Sequence, residues 1–225
     1  SSVSANTTNG FSIVSYTGTG SLATVGHGLG SAPKMVIAKN RGSTSNWDCY
    51  HVGLSGANYR IQLNSTGAES ASGGSWGSTA PTSSVFTVQD DTATNVNGNT
   101  YIAYCFADVK GFSKMGSYVG NGSTDGTFIY TGFSPSFIMF KNASVTESWT
   151  ILDLKRASVP NANPNANVLW PNDNYAEYDE TQGIDFLSNG FKVRESATGF
   201  NGSGNQIIYM AFAENPLVAN TSGGI

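Results

Sequence analysis

The sequence predicts an all-β fold arranged as two tandem, homologous β-sandwich domains. Three observations carry that prediction: a sparsely charged, glycine-rich composition, an internal repeat, and short apolar runs punctuated by Asn-Gly pairs. Only 12 % of the 225 residues are charged and glycine supplies 27 positions, against roughly 25 % charged in an average soluble domain. Coiled coils and helical bundles draw on Glu, Lys, Arg and Ala, so this composition excludes them. Twelve Phe, ten Tyr and four Trp bury enough apolar surface to offset the entropy of ordering, which excludes a disordered chain. A net charge of −4 with 11 Lys and Arg leaves no broad cationic surface for nucleic acid. No apolar run reaches the ~18–20 residues that span a bilayer, and no charged-then-apolar secretion signal opens the chain. The opening Ser1-Ser2-Val3-Ser4-Ala5-Asn6 is expected to lie inside a longer polypeptide.

The repeat sets the domain boundaries. Ser15-Tyr16-Thr17-Gly18-Thr19-Gly20 returns as Ser117-Tyr118-Val119-Gly120-Asn121-Gly122, and 117 − 15 gives an offset of 102. At that offset Pro33 matches Pro135, Lys39-Asn40 matches Lys141-Asn142, and Trp47 matches Trp149. Insertions then lengthen the second copy, so that Phe86 answers Phe191 and Tyr101–Asp108 answers Ile207–Glu214, the latter at an offset of 106. One domain over 1–110 and a second over 111–225 follow, joined near Gly111 to Gly116.

Within each copy the strand signals are regular. Lys34–Lys39 and Ser136–Lys141 are short apolar runs bounded by Pro and polar residues, the pattern of strands buried on both faces. Trp47 and Cys49, like Trp149 and Ile151, alternate with other residues at period two. Asn-Gly pairs at 9–10, 97–98, 121–122, 189–190 and 201–202 tolerate positive φ and suit tight turns. Seven to nine strands per copy are expected at the turn spacing of a sandwich. A lectin-like jelly roll is the first expectation and a different Greek-key sandwich the second.

Cys49 and Cys105 are the only thiols. Their counterparts in the other copy are Ile151 and Ala211, so both positions ask for an apolar filler and buried free thiols are expected rather than a disulfide. Zinc lacks a four-ligand set. His27 and His51 sit in no catalytic motif. Asp173, Asp179-Glu180 and Asp185 are the only carboxylate cluster a glycosidase could use, and nothing in the sequence brings them together. Asp90-Asp91 with Asn95, Asn97 and Asn99 offers oxygen ligands for calcium, but without EF-hand spacing; a polar hairpin explains it as well. No cofactor, no metal and no catalytic residue is expected.

Where the copies differ, the second carries Pro160-Asn161-Ala162-Asn163-Pro164-Asn165-Ala166-Asn167 and then Trp170-Pro171-Asn172-Asp173-Asn174-Tyr175. Such a segment is read as turn-forming and not as a central strand. It is either a solvated excursion or a recognition loop on a rigid scaffold. Uncharged sugars are held by flat aromatics and by Asn or Asp groups. Trp170, Tyr175 and Tyr178 would stack, and Asn172, Asp173 and Asn174 would hydrogen-bond. Trp76 is set in similar loop-like surroundings, whereas Trp47 and Trp149 belong to the core.

Gly10–Gly18, Val25-Gly26-His27-Gly28-Leu29-Gly30, Ala32–Met35 and Tyr101–Ala107, with Gly116–Tyr118, Ile184–Phe191 and Ala211–Pro216, are long ordered strings. Over nearly the whole chain they resemble the tandem repeat domains of tail and tail-fibre proteins of tailed bacteriophages, marine cyanophages among them. The resemblance implies a virion location, a role near host recognition, other tail-fibre segments as neighbours, and a homotrimer. It transfers no catalytic residue. The expected function is non-catalytic binding of a host cell-surface glycan or protein receptor, without nucleic acid and without membrane insertion. The rivals are a structural spacer or tail-assembly module, and a glycan depolymerase.

Overall fold

The computed structural model describes residues 1–71, 74–156 and 163–215, with residues 180–182 described for backbone alone. The protein is all-β, and every strand pairing is antiparallel. The first half holds β1 (Ser2–Asn6), β2 (Phe11–Thr17), β3 (Ala23–Gly26), β4 (Met35–Asn40), β5 (Trp47–His51), β6 (Tyr59–Gln62), β7 (Ser70–Ala71), β8 (Val85–Val88) and β9 (Thr100–Phe106). The second holds β10 (Ser113–Val119), β11 (Phe128–Tyr130), β12 (Pro135–Asn142), β13 (Thr150–Asp153), β14 (Asn165–Val168), β15 (Tyr178–Leu187), β16 (Gly190–Val193) and β17 (Gln206–Ala213). A single helical turn, α1 (Thr198–Asn201), precedes β17.

These strands form a seven-stranded sheet of order β1-β2-β9-β4-β5-β6-β7, a two-stranded ribbon β3-β8, and two four-stranded sheets, β10-β17-β12-β13 and β11-β16-β15-β14. The run β2-β9-β4-β5 of the first half has its counterpart in β10-β17-β12-β13 of the second. Buried polar bonds recur in the same way. Tyr16 Oη donates to the Thr94 carbonyl and Tyr118 Oη to that of Phe200, both at 2.7 Å. Asn40 Nδ2 donates to Thr92 O at 2.8 Å and Asn142 Nδ2 to Thr198 O at 2.7 Å. Asn95 and Asn201 each accept a backbone N–H, from Thr19 and Asn121, at 2.9 Å. Donor and acceptor positions in these pairs are displaced by 102 and 106, the two offsets read from the sequence.

Three apolar cores separate the layers. Val14, Val36, Ala38, Phe86, Val88 and Ala103 fill the space between the seven-stranded sheet and the β3-β8 ribbon. Ile138, Phe140, Ile184, Phe191, Ile207 and Tyr209 fill that between the two four-stranded sheets. A third core joins the halves: Met35, Ile37, Cys49 and Ile61 of the first pack with Met139, Trp149, Ile208 and Met210 of the second. Strand alternation explains the layering. Met35 and Ile37 on β4 enter the shared core while Val36 and Ala38 face the other way, and Ile208 and Met210 on β17 alternate likewise with Ile207 and Tyr209. Strands buried on both faces read as unbroken apolar runs, which is why 34–39 and 136–141 lacked polar alternation.

Polar bonds cross the same seam. Trp149 Nε1 donates to Gln62 O at 2.9 Å, His51 Nε2 bonds Tyr209 O at 3.1 Å, and Gln206 Nε2 donates to Gly53 O at 3.2 Å. The backbones approach so closely that a Cβ on Gly53 would lie 2.7 Å from Ser117 Cβ.

Several expectations are corrected here. The segment 165–168 is a strand, not part of a loop, and Tyr178 begins another; β14 and β15 widen the outer layer of the second half from two strands to four. The Asn-Ala-Asn-Val alternation has the period of a strand, and the side-chain nitrogens of its two asparagines are bonded: Asn165 Nδ2 donates to Asp153 O at 3.1 Å and Asn167 Nδ2 to Glu177 Oε1 at 3.3 Å. β14 lies at a sheet edge, where the neighbouring Pro164 costs no ladder bond. Pro160, Asn161 and Ala162, like Pro216, lie outside the described residues. Trp76 is 1 % exposed, with its ring edge-on to Tyr50 and Phe86. The narrow β3-β8 ribbon leaves space beside it that this ring fills, so Trp76 is core and not a sugar platform. Trp149 is fully buried, whereas Trp47 is half-buried against Tyr104. Of the five Asn-Gly pairs, Gly10, Gly98 and Gly122 take positive φ; Gly190 instead opens β16, and Gly202 ends the helical turn.

Candidate functional site

The two cysteines exclude one kind of chemistry. On β4, Ile37 pairs with Cys49 and its neighbour Val36 pairs with Cys105, so the thiols point to opposite faces of the sheet. Both are free and buried. Burial pushes the Cys49 thiol well above its ordinary range and that of Cys105 up to about 12, so neither is a nucleophile at neutral pH. His27 and His51 are buried as well, each with both ring nitrogens engaged by backbone groups. Burial holds both below the usual imidazole range, His51 at about 4.

Two of the five oxygen ligands considered for calcium, Asp91 and Asn95, bond within the fold. Asp91 Oδ1 accepts the Ala93 N–H at 2.8 Å and its Oδ2 meets Arg60 at 3.3 Å, while the Asn95 amide bonds Thr19 and Ser21. Among the described residues no three His, Cys, Asp or Glu side chains are placed to share a metal ion. Of the carboxylates considered for glycoside hydrolysis, Asp185 is held by Arg194 Nε at 2.6 Å.

Equivalent clefts occur in the two halves. In the first, a 290 Å³ cleft is lined by Ser45, Asn46, Asp48, Arg60, Gln62 and residues 91–93. In the second, a 390 Å³ cleft is lined by Glu147, Ser148, Thr150, Trp170, Tyr175 and residues 197–200. Adding 102 to 45, 46 and 48 gives 147, 148 and 150, and adding 106 to 91–93 gives 197–199, so one cleft has been furnished in two ways. The polar side chains of the first bond one another. Asp48, wholly buried, takes Arg60 Nη1 at 2.9 Å, Ser75 Oγ at 2.8 Å and Gln62 Nε2 at 3.1 Å. The second presents aromatic faces: Tyr175 is 70 % exposed and stands edge-on to Trp170, with ring centroids 6.2 Å apart.

The loop that carries these rings is pinned at several points. Trp170 packs by one side on the core of the second half. Its carbonyl accepts the Asp173 N–H at 3.0 Å, closing a turn over Pro171. Asn172 Oδ1 accepts the Trp149 N–H at 2.7 Å, as Asn64 Oδ1 accepts that of Trp47 at 2.8 Å in the first half. Arg156 bridges Asp153 and Glu177, each at 2.6 Å. A held aromatic platform loses little entropy when a ligand stacks on it.

Of the six residues singled out from sequence, the structure brings Trp170 and Tyr175 to the cleft wall. Tyr178, 54 % exposed, lies 6.2 Å from Trp170 by ring centroid but does not line the cleft. The Asn172 side chain anchors the loop to Trp149 and Ser148 and does not line the cleft. Asp173 and Asn174 belong to the connecting turn, where Asp173 Oδ1 accepts the Asn174 N–H at 2.8 Å. Sequence reasoning missed Glu147, Ser148, Thr150 and 197–200. One signal was available, since the repeat opposes Glu147 to Ser45 and so places a charge where the other copy has none.

Fold and site thus define an all-β protein of stacked antiparallel sheets with an aromatic-walled cleft. Residues 1–216, spanning both halves, match the family described as a domain of unknown function (DUF7483), and the chain belongs to that family. No curated protein and no solved structure matches it.

Proposed function

We propose that the chain is a tail or tail-fibre module of a tailed bacteriophage, binding a host cell-surface glycan or receptor without turning it over. In this reading it acts in the virion, as a homotrimer among other tail-fibre segments, and consists of two tandem lectin-like sandwich units over 1–110 and 111–225. The hairpins β12-β13 and β15-β16 each remain within one sheet, which favours a sandwich topology other than a jelly roll. The observation that carries the function is the exposed Tyr175 beside Trp170 on an open cleft. Such amphipathic rings stack on pyranose faces. Few surface charges limit salt-sensitive adhesion, and linked copies multiply weak single-site binding. A spacer role draws on a different observation, the apolar core shared by the halves, which makes them one stiff body.

Tyr175→Ala combined with Tyr178→Ala separates the two. Both side chains are exposed, so stability should change by less than about 1 kcal/mol while binding to host cells is lost and no oligosaccharide is released from host capsule by the parent. Unchanged binding by a folded double variant removes the cleft from the function, and released oligosaccharide replaces binding with depolymerisation.

A further inference from the structure

Resting on the reading of the Trp170–Tyr175 cleft as a sugar site, we propose that it selects saccharides without acidic groups and that Glu147 enforces the selection. Glu147 is half-buried on the cleft wall, and its carboxylate accepts no hydrogen bond and makes no ion pair among the described residues. Opposite it stands Gly199, where a Cβ would lie 3.5 Å from Glu147 Oε2, so carboxylate and glycine bound a narrow part of the cleft.

No Lys or Arg lines this cleft. The cation that shares the field of Glu147 is Lys141, whose buried Nζ donates to the carbonyls of Asn142 at 2.5 Å and Val145 at 3.4 Å. Its ammonium is turned into the backbone and unavailable to a ligand. Glu195 Oε1 accepts the N–H groups of Ser196 and of the cleft-lining Ala197, and Asp173 lies on the turn between the two rings. The matching cleft of the first half shows the contrast, because its buried carboxylate is saturated by Arg60, Ser75 and Gln62.

A half-buried carboxylate without donors is an acceptor waiting for donors, and sugar hydroxyls supply them. Hydrogen bonds to an ionised acceptor are roughly twice as strong as neutral ones. A uronate, sialate or sulfate brought onto the same rings would instead set like charges a few ångströms apart in a partly desolvated space. Neutral hexoses and hexosamines are the class that fits.

The test is an array of matched neutral and acidic oligosaccharides, with titration calorimetry on those that bind the whole chain. Neutral members should bind at least about tenfold more tightly than their acidic counterparts. Glu147→Gln should narrow that gap to about threefold or less, and Glu147→Lys should reverse it. Circular dichroism would confirm that both variants are folded. Gly199→Leu, which places a side chain in the cleft beside Glu147, should abolish binding of all members. Equal binding of acidic and neutral members by the parent, or a gap that survives both Glu147 variants, overturns the selection while leaving a sugar site in place. If no member binds the parent, or if Gly199→Leu binds as the parent does, the sugar reading of the cleft fails and the selection with it.

Discussion

Replacing His51 by Gln should flatten the acid limb of the stability curve. His51 is 1 % exposed, and its Nδ1 accepts the Gly53 N–H at 3.0 Å. Nε2 therefore carries the proton and donates it to the Tyr209 carbonyl across the seam between the halves, at 3.1 Å. A second proton, on Nδ1, would point at the Gly53 N–H, so only the neutral ring fits. Burial holds the folded pKa at about 4, the Tyr209 carbonyl opposing that shift, against an ordinary value of 6.5. The unfolded chain takes up the proton first. The contribution of the neutral ring is thus complete above pH 6.5 and is lost as the pH falls from 6.5 towards 4. At ~1.4 kcal/mol per pH unit the interval amounts to about 3 kcal/mol, most of which is gone at pH 4.5. Urea unfolding at pH 7.5 and pH 4.5 measures this directly. His51→Gln should cost about 1–2 kcal/mol at the higher pH through poorer hydrogen bonding. Between the two pH values it should then lose about 2–3 kcal/mol less than the parent does. His27 and the carboxylates titrate in both proteins and cancel in the comparison. If parent and variant lose the same stability on acidification, His51 is not held neutral and the reasoning is wrong.

Two further perturbations probe the cores and the buried charge. Cys49→Val with Cys105→Ala should cost about 1–3 kcal/mol by packing alone, and in the parent neither thiol should react with a thiol reagent before unfolding. Labelling of the folded protein, or a 49–105 bridge in its mass spectrum, would contradict the placement of the thiols on opposite faces. Arg60→Leu strips the buried Asp48 of its cation and should destabilise by about 3 kcal/mol, most of it recovered on adding Asp48→Asn. A double variant no more stable than Arg60→Leu alone would show that the unpaired Asp48 charge is not the source of the loss.

Legibility varied from place to place for physical reasons. Both-face burial of 34–39 and 136–141 was readable because a strand between two apolar layers has no reason to place polar residues on either face. Which layers those were was not readable, since an apolar side chain carries no address; Met35, Met139 and Met210 meet only because the sheets of the halves stack. Trp76 misled because its neighbours are Ser and Gly, while its own burial depends on Tyr50 and on Phe86 of the β3-β8 ribbon. The strand at 165–168 was hidden by Asn, whose turn preference is local and was outweighed by pairing with β15 and by bonds to Asp153 and Glu177. Trp170 and Tyr175 were legible through the asymmetry of the copies, and Asn172 was not. An amide that could serve a ligand serves equally well to hold a tryptophan backbone N–H, and only position decides between them.

By itself the sequence determined that the chain is all-β, that its apolar positions alternate or run as strands do, and that the thiols occupy apolar sites. These properties follow from composition and from periodicities a few residues long, which act before any tertiary contact exists. The tertiary structure alone decided that the halves share a core, that the carboxylate of one cleft is paired with an arginine while its counterpart carries two aromatic rings, and that Glu147 lines the same cleft as Trp170 and Tyr175. Each of those depends on residues tens of positions apart, and the energies involved arise only when sheets meet and exclude water between them.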